Sequence, residues 1–187
     1  MNDDLIRAVE TLRAGGIILY PTDTIWGLGC DATREDAVQR IYALKQRQDE
    51  RSMLILLDDA SKIEDYVETV PEIAWNLIEI ADKPLTIIYP EAKNLASSLI
   101  AVDGSIGIRI VKDEFCRVLI RKFGKPLVST SANVSGMPWP HSFSKIDKSL
   151  VKAADYVVTW RQNDEKRGKP SGIIKLGKKG EISVIRE

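Results

Sequence analysis

The sequence predicts an α/β protein with one largely covered sheet. Three observations support this fold class. The first is that short apolar runs alternate with segments whose apolar residues recur at helical spacing. The second is that no internal repeat, low-complexity tract or linker interrupts this alternation. A third observation is the length of 187 residues, which is enough for one domain with a substantial core. We therefore expect a single domain over residues 1–187.

The elements follow from these patterns in chain order. The first helix is predicted from Leu5 to Leu12, and Gly15 and Gly16 end it. Further helical segments are predicted at Ala37–Leu44, Ile63–Val67, Ile73–Ile80 and Phe115–Phe123, the last closed by Gly124. Buried strands are predicted at Ile17–Tyr20, Met53–Leu57, Leu85–Tyr89, Ile106–Ile110, Leu127–Ser129, Tyr156–Trp160, Gly172–Leu176 and Ile182–Ile185. The charged stretch 161–170 is the most loop-like part of the chain.

Composition argues against several protein classes. The 27 basic and 27 acidic residues give no formal net charge, which does not indicate a general polyanion binder. Cys30 and Cys116 show no paired spacing, and His141 is the one histidine, so a disulfide framework, a zinc site and a Ser-His triad are disfavoured. The N-terminus lacks a signal-peptide pattern, and no apolar run approaches the roughly 18 residues of a membrane span. We expect a cytoplasmic protein with no membrane segment and no protein-held metal.

The strand predicted from Leu127 runs directly into hydroxyl, amide and glycine residues. Ser131 and Asn133 lie two apart and can point the same way if the backbone stays extended. Strand ends followed by small polar residues are where open α/β sheets place ligands. The alternative is an ordinary turn rich in serine, asparagine and glycine.

Three basic residues precede one predicted strand, and a fourth lies inside another. Lys45 and Arg47 stand where a helix should end, and Arg51 follows just before the next strand. Such cations can simply complement the negative end of the helix, which leaves their role open. Arg109 is embedded in an apolar strand, so it requires water, a carboxylate or an anionic ligand. Arginine is suited to planar, bidentate recognition of carboxylate or phosphate.

The set of candidate groups is therefore cations, hydroxyls and amides. The chain contains no Walker loop and no dinucleotide-binding glycine turn, and Gly27-Leu28-Gly29 is too short for either. Groups of this kind position phosphates and carboxylates and stabilise developing negative charge. They are typical of phosphoryl or nucleotidyl transfer, where the protein contributes mainly orientation and electrostatics.

Five motifs in order resemble the YrdC/TsaC family of threonylcarbamoyl-AMP synthases. The first is the run from Tyr20 to Asp31, which includes Pro-Thr-Asp-Thr and Gly-Leu-Gly. The others are Lys45-Gln46-Arg47, the arginine-bearing strand at Ile106–Arg109, Ser131-Ala132-Asn133 with Ser135-Gly136, and Pro170–Ile174. Each motif alone is weak, but together they cover nearly the whole chain, in its short single-domain form.

The resemblance implies a twisted mixed sheet flanked by helices around a concave basic cavity. It also implies an enzyme that joins L-threonine, bicarbonate or CO2 and ATP into threonylcarbamoyl-AMP and releases pyrophosphate. The product would serve a downstream threonylcarbamoyl-transferase complex that modifies adenosine 37 of tRNAs reading ANN codons. Mg²⁺ would accompany ATP, and tRNA or double-stranded RNA is a possible partner.

Positional matches to the family imply a role for each site residue. Lys45 and Arg47 would be catalytic, neutralising charge that grows on the phosphates. Threonine would be held by Thr24, Arg109, Ser131 and Ser171. ATP would be surrounded by Lys45, Arg47, Arg51, Ser105, Asn133, His141 and Arg186. No residue stands out as a general base.

Some positions depart from the family pattern and keep alternatives open. Asp23 stands where most members have Glu, and His141 where Thr or Arg is more usual. Asp23 and Cys30 also resemble the YciO branch, which suggests an alternative function in binding double-stranded or ribosomal RNA. The basic residues between Arg161 and Lys179 would serve such binding, or would form a solvated face. Trp139 could pack in a loop or flank an adenine base.

Overall fold

The computed structural model describes residues 1–46, 53–164 and 168–187. The strands are β1 Ile18–Tyr20, β2 Gly27–Gly29, β3 Leu54–Leu57, β4 Leu85–Tyr89, β5 Ile106–Ile110, β6 Leu127–Ser131, β7 Tyr156–Val157, β8 Gly172–Leu176 and β9 Ile182–Arg186. The α-helices are α1 Asn2–Arg13, α2 Glu35–Leu44, α3 Ile73–Ile80, α4 Glu114–Phe123 and α5 Lys148–Ala153. Short 3₁₀ segments lie at Ala60–Asp65, Ser97–Leu99 and Phe143–Lys145. No helix of these described ranges is long and apolar enough to cross a bilayer.

The nine strands form one mixed sheet in the order β7-β1-β2-β6-β3-β5-β4-β8-β9. Strand β3 lies at its centre, parallel to β5 and antiparallel to β6. On one side the sheet continues through β6 and β2, and on the other through β4 and β8. The α/β fold class predicted from the sequence is confirmed.

The two faces of the sheet bury different side chains because alternate residues of a strand point to opposite faces. Ile17 and Leu19 join one apolar cluster with residues of α2, whereas Ile18 and Tyr20 join a second cluster with residues of α1 and α4. Helix α4 also shows how the sequence sets an element's ends. Asp113 caps its N-terminus by accepting a hydrogen bond from Cys116 N, and Gly124 ends it at φ 82°.

Most elements lie where the sequence predicts them, and the differences have local causes. Strand β2 was not predicted, because Gly27-Leu28-Gly29 lacks an apolar run. A Cβ on Gly29 would lie 2.7 Å from the Val128 carbonyl oxygen, so this strand needs glycine for its close approach to β6. The stretch predicted as a helix near Ile63 is a 3₁₀ segment, and α5 was not predicted. The strand predicted from Tyr156 to Trp160 ends at Val157.

Candidate functional site

An open cleft of about 310 Å³ lies against the sheet around the end of β6. Its lining is largely polar, with cations, hydroxyls and an amide among its side chains. The described residues that line it include Thr24, Lys45, Arg109, Ser129, Ser131, Asn133, Trp139, Ser171 and Arg186. Seven of the site residues suggested by the sequence are therefore brought together, from six separate parts of the chain.

Strand register explains why polar residues collect there. Leu56 pairs with Leu127 on β6 and with Arg109 on β5, and two residues away Leu54 pairs with Ser129 and Gly107. Paired residues of neighbouring strands share a face. Leu56 and Leu127 lie in the apolar cluster with α1 and α4, whereas Leu54 and Ser129 line the cleft. The helices therefore cover one part of this face, and the cleft occupies the next part.

Arg109 is a buried cation at the boundary between these two parts, with 3% of its side chain exposed. Its Nη2 lies 3.0 Å from Asp23 Oδ1, a distance typical of an ion pair. The two atoms are not aligned as a hydrogen bond, and Arg109 Nε also lacks a partner among the described residues. Buried guanidinium N–H groups are normally satisfied, so Arg109 can bind a further acceptor in the cleft.

Lys45 stabilises the loop that follows β6 through hydrogen bonds. It caps the C-terminus of α2 and is buried, and its Nζ donates to the carbonyl oxygens of Ser131 at 2.6 Å and Asn133 at 2.7 Å. The Ser135 amide donates back to the Lys45 carbonyl at 3.0 Å. The sequence left open whether Lys45 simply complements a helix end. The structure shows a charged group that holds the polar loop in place.

Asn133 and Thr24 are positioned by local hydrogen bonds. The Asn133 side-chain amide donates to the Val134 carbonyl, and its Oδ1 is buried without a partner among the described residues. Thr22 Oγ1 accepts from the Thr24 amide at 3.1 Å, donates to the Ile25 carbonyl and lies 2.9 Å from Thr24 Oγ1. These bonds form a tight hydroxyl turn that presents Thr24 to the cleft.

Ser171 and Arg186 close the cleft on the β8 side. Ser171 Oγ lies 2.8 Å from the Thr86 hydroxyl, and its carbonyl accepts from Arg186 Nε at 2.9 Å. Burial, and next the charge of nearby Arg109, lower the pKa of Arg186. Both guanidinium groups line the same cleft, and an anionic ligand there would be attracted by both charges.

Four residues that the resemblance implies for ATP or catalysis are not in the described cleft lining. Ser105 immediately precedes β5 and is four residues from Arg109, roughly 13 Å along an extended chain. It is buried, and its hydroxyl donates to Asp103. His141 lines a small neighbouring cavity with Thr24 and Arg161. Arg47 and Arg51 lie outside the described residues.

Sequence reasoning missed two residues that support the site. Asp23 was noted only as a departure from the usual Glu that resembles the YciO branch, and its ion pair with Arg109 joins positions 86 apart in the chain. Arg161 was assigned to a basic surface. In the structure its guanidinium pairs with Asp113 and Asp164, both at 3.1 Å, and donates to the Thr22 carbonyl at 3.4 Å. Its left-handed φ of 67° is a local signal of constraint that the sequence does not reveal.

Comparison with known proteins places this geometry in a family. The Sua5/YciO/YrdC family model, described as telomere recombination, matches residues 10–187. The chain belongs to this family. Members with a curated name include the threonylcarbamoyl-AMP synthase of Stenotrophomonas maltophilia, which is 36% identical over 82% of this chain and 84% of its own length.

Solved structures of family members share the fold. YciO of E. coli superposes with a TM-score of 0.87 at 26% identity, covering 100% of this chain and 90% of that one. P. abyssi Sua5 complexed with L-threonine superposes with a TM-score of 0.81 at 24% identity, over 92% of this chain. This chain spans 50% of that Sua5 chain, so the likeness to it concerns the fold of the shared part.

Proposed function

We propose that this protein is a threonylcarbamoyl-AMP synthase. The observation that carries the proposal is Arg109, a buried guanidinium with unpartnered nitrogen donors at a cleft of hydroxyls, an amide and other cations. An amino acid carboxylate is a planar acceptor that matches such a fork. Synthase relatives at 32–36% identity, and a threonine complex in a protein of the same fold, support this proposal.

The amino acid would occupy the part of the cleft around Arg109. Arg109 would bind its carboxylate, and the hydroxyls of Thr24, Ser131 and Ser171 lie around the same cleft to contact its amine and hydroxyl. Because these three hydroxyl residues are among those that line the cleft, it offers hydrogen bonds that a purely apolar side chain would leave unmade.

ATP would bind toward the β6 loop. Lys45, Asn133 and Arg186 are its proposed contacts in the described lining, while Arg47, Arg51, Ser105 and His141 remain predicted contacts. The cleft lining includes no carboxylate among the described residues, so Mg²⁺ would enter bound to the triphosphate of its substrate.

The proposed reaction has two steps. The threonine amine adds to CO2 and gives up a proton to solvent, which yields a carbamate. A carbamate oxygen then attacks the α-phosphorus in line, and pyrophosphate leaves. The residues contribute orientation and positive charge, which is the main protein contribution in transfers of this kind. Lys45 and Arg47 are the proposed catalytic residues.

The product would supply the downstream complex that forms threonylcarbamoyladenosine at position 37 of tRNAs reading ANN codons, in the cytoplasm.

The decisive experiment measures pyrophosphate release from ATP and bicarbonate with and without L-threonine, and identifies the adenylate product by mass. We expect release that depends on threonine and is lost in Lys45→Ala, in protein whose folding is confirmed by circular dichroism. The matched control is Lys62→Ala, which removes a lysine from the Asp58 ion pair and should retain full activity. ATP binding without threonine-dependent release would contradict the proposal.

RNA binding is the second candidate, suggested by the resemblance of Asp23 and Cys30 to the YciO branch, and YciO of E. coli shares this fold. Three cations of the basic segment argue against it, because Arg161, Lys175 and Lys178 are each paired with carboxylates. A basic surface that binds RNA should lose affinity steeply as salt rises. Titration of duplex RNA at two salt concentrations tests this candidate, and tight, salt-sensitive binding without synthase activity would favour it.

A further inference from the structure

Asp23 lies against Arg109 but is not among the residues that line the cleft. Both side chains are almost fully buried, at 10% and 3% exposure. The carboxylate therefore offsets the charge of the guanidinium. It does so without aligned hydrogen bonds from Nη2 or Nε among the described residues, and Arg109 itself lines the cleft.

Arg186 contributes a second guanidinium to the part of the cleft beside Asp23 and Arg109. We call the region around these three side chains the corner of the cleft. Its Nε is fixed on the Ser171 carbonyl, and the charge of Arg109 contributes to the lowering of its pKa. Two guanidinium groups and one carboxylate leave a formal balance of one positive charge. Two unopposed guanidinium groups would instead form a phosphate clamp, since forked donors bind phosphate as readily as carboxylate.

We propose that Asp23 is a specificity-determining residue that lowers the affinity of this corner for a dianionic phosphate relative to a monoanionic carboxylate. The inference rests on the proposed function, in which this corner binds the carboxylate of the amino acid. A dianion gains about twice as much as a monoanion from each positive charge, and loses twice as much to each negative one. Because ATP and pyrophosphate would occupy the same cleft, a corner without Asp23 would accept phosphate groups where threonine must bind.

The test compares the dissociation constants of sulfate and L-threonine by titration calorimetry. Sulfate is a tetrahedral dianion throughout the neutral range and stands in for phosphate. Asp23→Asn should bind sulfate on the order of tenfold more tightly relative to threonine than the native protein does. Asp23→Glu keeps the charge and should keep the native ratio. Asp58→Asn is the matched control. It removes the charge of a different buried aspartate, which pairs with Lys62.

Two further variants place the effect in this corner. Adding Arg186→Gln to Asp23→Asn should return sulfate affinity close to the native value. Arg186→Gln alone should raise the dissociation constants of both ligands. The increase in log Kd for sulfate should be about twice the increase for threonine. If Asp23→Asn does not fold, the same ratio of sulfate to threonine affinity is measured in Asp23→Ser, which also removes the charge. An unchanged ratio in Asp23→Asn, or an equal gain in Asp58→Asn, would overturn the proposal.

Failure of the synthase proposal gives a different result. If the native protein releases no pyrophosphate with threonine, the synthase assignment fails, but the sulfate measurements still report the charge of the corner. If the native protein is an active synthase and Asp23→Asn binds sulfate no better than before, the role of Asp23 fails alone.

Discussion

Arg109 shows how one residue can combine binding with a cost in stability. Its guanidinium is buried beside Asp23, its Nε and Nη2 have no hydrogen-bond partner among the described residues, and the residue lines the cleft. Arg109→Lys keeps the positive charge but loses the planar fork. We expect the KM for L-threonine to rise about ten- to a hundredfold, since one charged hydrogen bond contributes roughly 1.5–3 kcal/mol. Steady-state kinetics with each substrate varied in turn will check this, and the KM for ATP should change far less.

Arg109→Ala is a poor substitute for this test. It would leave the Asp23 carboxylate buried without its cation, and breaking one partner of a buried pair costs about 3–5 kcal/mol. Activity lost in that variant would report unfolding as much as binding. Equal KM values for threonine in the native protein and in a folded Arg109→Lys variant would remove Arg109 from the site.

Lys45 acts at the scale of elements, because it joins the end of α2 to the loop after β6. Lys45→Met keeps much of the apolar stem but removes the ammonium that binds the Ser131 and Asn133 carbonyls. We expect stability to fall by about 1–3 kcal/mol, the cost of leaving buried acceptors unpaired. Hydrogen exchange at Asn133 and Ser135 should accelerate. Lys125→Met, which removes the partner of Asp31, serves as control and should leave exchange in this loop unchanged.

Gly168 packs closely against the backbone of Thr24, which lines the cleft. A Cβ at this position would lie 1.6 Å from the Thr24 carbonyl oxygen, so Gly168→Ala must displace backbone. We expect a higher KM for threonine, because the turn that presents Thr24 would move. At Gly172 a Cβ would meet its nearest atoms at 3.6 Å and 3.7 Å, which is ordinary contact, so Gly172→Ala is the control. Identical kinetics in both variants would show that the turn tolerates the displacement.

The contrast between these elements shows what the sequence can predict. The β6 strand end was predictable because an apolar run and the polar residues after it lie side by side in the chain. Strand β2 was not, since its glycines are explained only by the closeness of Val128 and Tyr20. The Asp23–Arg109 pair and the contacts of Arg161 with Thr22 and Asp113 were hidden for a similar reason. Pairing between distant positions depends on strand order, which local patterns do not encode.

At the scale of the molecule, one face of the sheet serves both stability and ligand binding. Helices α1 and α4 cover its apolar part, and the cleft lies over the part that carries Ser129, Ser131 and Leu54. Elements from residue 2 to residue 186 surround or join the same sheet. The site therefore depends on the whole sheet, since its residues come from both halves of the chain. That the chain forms one domain over residues 1–187 stays a prediction.

Global stability should fall in acid through two carboxylates, Glu35 and Asp103, that are not among the residues lining the cleft. Hydrogen bonds from Gln39 and Ser98 lower the pKa of Glu35 to about 2, and Lys175 and Ser105 do the same for Asp103. A carboxylate whose pKa is lower in the folded state stabilises above its unfolded pKa, and that contribution is lost as pH falls toward the folded value. The window here runs from about 4.5 down to about 2. In denaturant titrations, Glu35→Gln combined with Asp103→Asn should be less stable than the native protein at pH 7, and this gap should shrink through that window. Glu10→Gln, an exposed carboxylate of α1, is the control, and a gap that stays constant with pH would contradict the prediction.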